Sequence, residues 1–192
     1  MDDITVKYFD STDPEVLALI KNSISEWPYG YCKLYNPEDI DTWAIDIEPQ
    51  KNLESTKVVI DAFIHAQCER SMFGMDLVDM YHWFESGNEF AKLSTQAPNK
   101  TLPYEFHVIL TQFKSQLENK EIKCVVLTLL GKHMSLSECE IYLLLLSNLK
   151  CRVIVNTLFI DDYPNDNQVI LHIALDEKKS DVQSELPAFL GG

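Results

Sequence analysis

Two aspartates, Asp76 and Asp79, stand one helical turn apart in the run Gly74-Met75-Asp76-Leu77-Val78-Asp79, at a predicted helix start. Carboxylates so spaced lie near one face of the helix. The same placement suits plain helix N-terminal acids that complement the macrodipole. His65 and Cys68 have the spacing of half a metal-ligand set. No second pair has ligand spacing, so they read as ordinary core or surface residues, and no metal site is expected. His82, His107, His133 and His172 are dispersed, and no Cys/His or Ser/His constellation is readable locally. At the end of the chain, Leu186-Pro187-Ala188-Phe189-Leu190 is either a frayed terminus or a peptide for a groove. Pro187 pre-orders its backbone, and Leu186, Phe189 and Leu190 supply apolar anchors. Gly191-Gly192 admits a further reading as a ubiquitin-like conjugation end.

Several elements must position these residues. Ile4 to Phe9 is β-branched and aromatic and predicts a strand; Thr12-Asp13-Pro14-Glu15 starts a helix whose buried face is Val16, Ile20, Ile24 and Trp27. Tyr31 to Tyr35 predicts a short strand, and Asp39 to Thr56 a loop or edge strand. A helix is expected over Lys57 to Glu69, then another from Asp76 with a stripe of Leu77, Met80, Tyr81 and Phe84. Lys92 to Lys100 reads as loop. Phe106, Ile109, Leu110, Phe113 and Leu117 mark an amphipathic helix. The last third is the most strongly patterned: strand Cys124 to Leu130, helix Ser135 to Leu149, strand Cys151 to Ile160, an acidic turn, and strand Gln168 to Leu175. Ser135-Leu136-Ser137-Glu138 is a capping box, and the apolar residues after it predict a helix buried on most sides.

With 192 residues, 46% hydrophobic and 24% charged, the chain suits one domain, or two small ones, with a real core. A net charge of -14, from 16 basic and 30 acidic residues, argues against nucleic acid and anionic membrane surfaces as partners. The five cysteines, Cys32, Cys68, Cys124, Cys139 and Cys151, form no C-x-x-C pair and read as thiols in a reducing compartment. The acidic Met1-Asp2-Asp3 is unlike a secretory signal, and no apolar stretch approaches the roughly 18 residues of a membrane span. The expectation is a cytoplasmic protein without direct membrane insertion.

The order of these pieces resembles the second half of FtsZ, the bacterial relative of tubulin. Met134-Ser135-Leu136-Ser137-Glu138 is similar to the family's "LSLFEV" helix opening, Ile160-Asp161-Asp162 to the end of its next strand, and Val169 to Ala174 to its last strand. Gly74 to Asp79 looks like the "N-x-D-F-A-D" synergy loop, with Gly74 in place of the asparagine, and Leu186 to Leu190 like the "IPAFLR" tail peptide, with Gly191 in place of the arginine. More weakly, Leu34-Tyr35-Asn36-Pro37-Glu38-Asp39 resembles "VIPND", and Asp61-Ala62-Phe63 the start of the central helix. Nothing matches the glycine-rich "GGGTGTG" phosphate loop. A loop whose amides cradle phosphates needs clustered glycines, and the six present are isolated except at the end.

The resemblance implies an α/β fold with a mixed, FtsZ C-terminal-like sheet packed on helices. It divides the chain into a small α/β remnant of the nucleotide domain (1–56), a C-terminal-like domain with its leading helix (57–176), and a polar spacer with tail peptide (177–192). It further implies a protein without nucleotide, cofactor or enzymatic activity. Such a protein would dock its synergy-loop-like face on FtsZ, or on another tubulin-like filament protein, and cap or modulate polymerisation. The alternative is an interaction module or modifier acting through the tail, by engaging FtsZ membrane adaptors or by conjugation.

Overall fold

The computed structural model describes residues 9–10, 12–26, 45–46, 52–66, 77–160, 163 and 166–178. In chain order the elements are β1 (Phe9–Asp10), α1 (Pro14–Glu26), β2 (Ile45–Asp46), α2 (Leu53–Ala66), α3 (Leu77–Glu85) and β3 (Glu89–Ala97). Then come α4 (Leu102–Ser115), β4 (Lys120–Gly131), α5 (Leu136–Leu146) with a 3-10 turn (Ser147–Leu149), β5 (Arg152–Phe159) and β6 (Asn167–Glu177). β1 and β2 form a short parallel ladder; the main sheet has the order β3-β6-β4-β5. The chain is thus α/β, with a mixed sheet packed on helices.

The sheet follows from its sequences. β4 and β5 pair in parallel, joined by the crossover helix α5, and β6 inserts antiparallel between β4 and β3. A strand covered on both faces must be apolar throughout rather than alternating. From Cys124 to Gly131 every residue of β4 is buried, and β6 is nearly as dry. One face, carrying Phe90, Cys124, Val126, Ile154 and Ala174, packs on Val16 and Ile20 of α1, Val59, Ile60 and Phe63 of α2, and Met80 and Trp83 of α3. The other, carrying Val125, Leu127, Leu129, Val169, Leu171 and Ile173, packs on Leu102, Phe106 and Leu110 of α4 and Cys139, Tyr142 and Leu146 of α5. The β4–β6 register shifts between Ile122 and Cys124, a bulge at Lys123.

Helix starts follow side-chain caps. Asp13 Oδ1 accepts from the backbone N–H groups of Glu15 (2.8 Å) and Val16 (3.0 Å), as the sequence predicts. The second helix begins at Leu53 rather than Lys57, because Asn52 Oδ1 accepts from Ser55 N at 2.7 Å. At α5 the capping box is complete: Ser135 N donates to Glu138 Oε2 (2.7 Å) and Glu138 N to Ser135 Oγ (3.3 Å).

Three expectations are corrected. Lys92 to Lys100 is not a loop through most of its length, since β3 runs from Glu89 to Ala97 and pairs with β6 along that whole span. Its sequence is polar because an edge strand shows much of itself to water. Helix α5 is not buried on most sides: Cys139, Tyr142 and Leu146 face the core, while Leu136 (58% exposed), Ile141, Leu143 and Leu144 (71%) face outward. It lies in an outer layer, where nothing among the described residues covers one face. In α3 the buried stripe is Met80 and Trp83, with Phe84 half-buried and Tyr81 exposed. The expected strands Ile4 to Phe9 and Tyr31 to Tyr35 lie outside the described residues, apart from Phe9.

Gly87 joins α3 to β3, and a Cβ there would stand 2.8 Å from both Leu175 N and Leu175 O. Those are backbone atoms of a central strand and cannot swing aside. Gly87→Ala is expected to cost about 1–3 kcal/mol of stability, read as a lower urea midpoint at unchanged m-value.

Candidate functional site

Of the sequence-predicted partner surface, Gly74, Met75 and Asp76 lie outside the described residues, and Leu77 opens α3. Val78 is 56% exposed on the first turn. Asp79 pairs with Arg152 at the start of β5, Nη2 to Oδ1 2.8 Å. Both side chains keep solvent contact, so the pair contributes little stability, while it joins the first turn of α3 to the start of β5. Tyr81 is exposed on the same helix. The tail residues Leu186, Pro187, Ala188, Phe189, Leu190, Gly191 and Gly192, and Cys68, lie outside the described residues.

A second constellation is buried between α2 and the sheet. Asp61 and His65 lie one turn apart on the sheet-facing side of α2, and His172 rises from the middle of β6, where it pairs across the ladder with Lys92 of β3. His172 Nε2 donates to Asp61 Oδ2 at 2.6 Å, and the Lys92 ammonium approaches the same oxygen at 2.7 Å. His65 Nδ1 donates to the Asp61 carbonyl oxygen at 2.7 Å and stands 3.4 Å from Oδ2. The two imidazole centroids are 5.4 Å apart, and Trp83 meets His172 edge-on at 6.3 Å.

Two clasps hold this geometry. Ser55 Oγ donates to Phe90 O (3.3 Å) and accepts from Phe90 N (3.0 Å), fastening α2 to β3. Asn156 Nδ2 donates to His65 O at 2.9 Å, fastening the end of α2 to β5.

The electrostatics follow from burial. Both imidazoles are almost wholly inside, and burial disfavours their charged forms. Burial, opposed in part by the Asp61 charge, brings His65 down to about 4. Burial likewise lowers His172 against the opposing Asp61 hydrogen bond. For Asp61, burial alone would raise the carboxyl; the His172 hydrogen bond and nearby positive charge, Lys92 included, outweigh it and hold it well below the usual carboxylate range. At neutral pH Asp61 is therefore a carboxylate and both imidazoles are neutral. His172 Nδ1 is buried without a hydrogen-bond partner.

Reading the sequence pairs His65 with Cys68, whereas the structure pairs it with Asp61 and with His172 of a distant strand. Two signals pointed there: the helical-turn spacing of Asp61 and His65, and a histidine inside the apolar run Val169 to Ala174, where a polar group needs a buried partner. The described thiols are not reactive centres. Burial raises Cys124 and Cys139, and pushes Cys151 up to about 11, so all three remain protonated.

These elements define an α/β protein with helices on both faces of a mixed sheet. No family model and no curated protein matches the sequence. Among solved structures the chain is similar to an empty FtsZ dimer from M. jannaschii, at 16% identity over 77% of this chain and 52% of that one, with a TM-score of 0.48. It is also similar to a point mutant of M. jannaschii FtsZ, at 16% identity over 70% of this chain and 46% of that one, with a TM-score of 0.50. The second likeness shows an FtsZ-like fold, and the chain spans about half the length of these FtsZ chains. Among the described residues, no helix is long and apolar enough to cross a membrane.

Proposed function

We propose that this is a nucleotide-free FtsZ-like protein that binds FtsZ subunits through the start of α3 and caps or modulates their polymerisation. The observation that supports the reading is the FtsZ-like fold of these residues, among which no glycine cluster could cradle phosphates. A subunit that docks on a filament end and offers no nucleotide face to the next subunit stops growth there. The role is binding, not catalysis.

The docking face consists of Gly74 to Asp79 extended along α3 by Tyr81. Exposed Val78 and Tyr81 supply apolar contact, and Asp79 with Arg152 supplies a charged rim. Exposed apolar and charged side chains on one helix suit a protein partner.

The test is sedimentation of FtsZ polymers assembled with GTP. Substoichiometric addition of the protein is expected to lower the pelleted mass, and Asp76→Lys combined with Asp79→Lys to abolish the effect. Circular dichroism and the urea midpoint of the double variant control for any loosening of α3. Polymer mass and GTPase rate that stay unchanged on adding the wild-type protein would overturn the reading.

A further inference from the structure

We propose that Asp61, His65 and His172 form a binding site for a divalent transition metal, with zinc the best chemical match, and that the ion enters by displacing the Lys92 ammonium. One donor atom from each of the three residues lies within 4.8 Å of the other two. Tetrahedral zinc with bonds of roughly 2.0–2.1 Å separates its ligand atoms by about 3.3 Å. The pair Asp61 Oδ2 and His65 Nδ1, at 3.4 Å, already has that separation, and Asp61 Oδ2 to His172 Nε2, at 2.6 Å, has to open by less than an ångström.

The donor chemistry fits. Two imidazoles and a carboxylate suit zinc and its neighbours in the first transition row and are a poor set for magnesium or calcium, which prefer all-oxygen shells. The coordinating nitrogens, His65 Nδ1 and His172 Nε2, now donate to Asp61, so each ring moves its proton to its other nitrogen to turn a lone pair toward the metal. His172 is held by hydrogen bonding only through Nε2, because its Nδ1 has no partner. Exchanging that one bond for a metal bond costs the ring no other contact.

Lys92 marks the cation position. Its ammonium sits 2.7 Å from Asp61 Oδ2, and both side chains are about a third exposed, 32% and 31%. The flexible stem can therefore carry the charge out to water while the two histidines stay inside. Its departure opens the solvent side of Asp61 to a fourth ligand, a water, which completes a three-residue site of open type.

The experiment uses the full chain, stripped with a chelator and titrated with Co2+ and Zn2+. Tetrahedral cobalt gives visible d–d bands that octahedral aqueous cobalt lacks, and calorimetry counts the zinc. The expected result is about one equivalent per chain, with a rise in melting temperature that magnesium does not produce. His65→Gln, with its fold checked by circular dichroism, is expected to weaken zinc at least about tenfold. Lys92→Met retains all three ligands and removes the competing charge, so it is expected to tighten zinc. An absence of tetrahedral cobalt bands overturns the proposal. So does zinc affinity unchanged in both variants, which assigns the ion to the acidic surface.

Discussion

Trp83→Ala is expected to lower the unfolding free energy by about 3–5 kcal/mol. Trp83 has no solvent exposure and fills the space between α3 and the sheet, with its ring centroid 4.8 Å from that of Phe90 and its edge toward His172. Truncation leaves a cavity between the elements that carry the proposed docking face and the buried Asp61 cluster. A tryptophan usually contributes a hydrogen bond as well as a ring, but the buried Nε1–H here has no partner. Trp83→Phe therefore forfeits no hydrogen bond and should cost only ~1–2 kcal/mol, the shortfall in packed volume. Urea unfolding of the two variants checks the pair. Equal costs for phenylalanine and alanine would mean that the N–H, not the ring, is what the core needs.

The sequence is most readable where one physical requirement acts alone. Val125, Leu127 and Leu129 alternate with Cys124, Val126 and Thr128 in a strand wet on neither face, so a nearly unbroken apolar run marks Cys124 to Leu130 but not the polar start of β4 from Lys120. Ser135 and Glu138 satisfy each other within one turn, and no distant contact is needed to predict that cap. Strand β3 fails the same reading because its pairing is supplied by β6, far along the chain; Lys92, Ser94 and Gln96 carry no strand signal by themselves.

Helix α5 fails for a related reason. Leu143 and Leu144 differ in kind from nothing in the core, and only the layer order, which sequence does not carry, turns one side of the helix outward. The cluster of Asp61, His65 and His172 joins a helix to a strand across more than half the chain. Local spacing could expose one half of it. His172, in an apolar strand, announced that a partner existed without saying which. Asp79 pairs with Arg152, a residue with no motif to mark it.

Acid should destabilise the chelator-treated protein well before its carboxylates titrate. Above pH 6.5, the ordinary histidine value, His65 and His172 are neutral folded or unfolded, and their contribution to stability is fully present. Below it the unfolded chain takes up protons that the folded chain refuses, so stability falls with pH until the folded histidines also titrate, for His65 at about 4. One pKa unit is worth about 1.4 kcal/mol, so His65 alone removes up to roughly 3 kcal/mol between pH 6.5 and 4. His172 adds to the loss in the same direction. Asp61 joins only below its ordinary 3.8, since its lowered folded value makes its contribution disappear as the carboxylate is protonated. The surface acts oppositely: a chain of net charge -14 gains from losing negative charge, but carboxylates titrate near pH 4, leaving pH 6.5 to 5 to the buried imidazoles. Urea midpoints at pH 7 and pH 5, compared between wild type and His65→Gln, isolate the effect. The wild type should lose more than the variant, and equal losses would show that His65 takes up its proton inside the fold as readily as outside it.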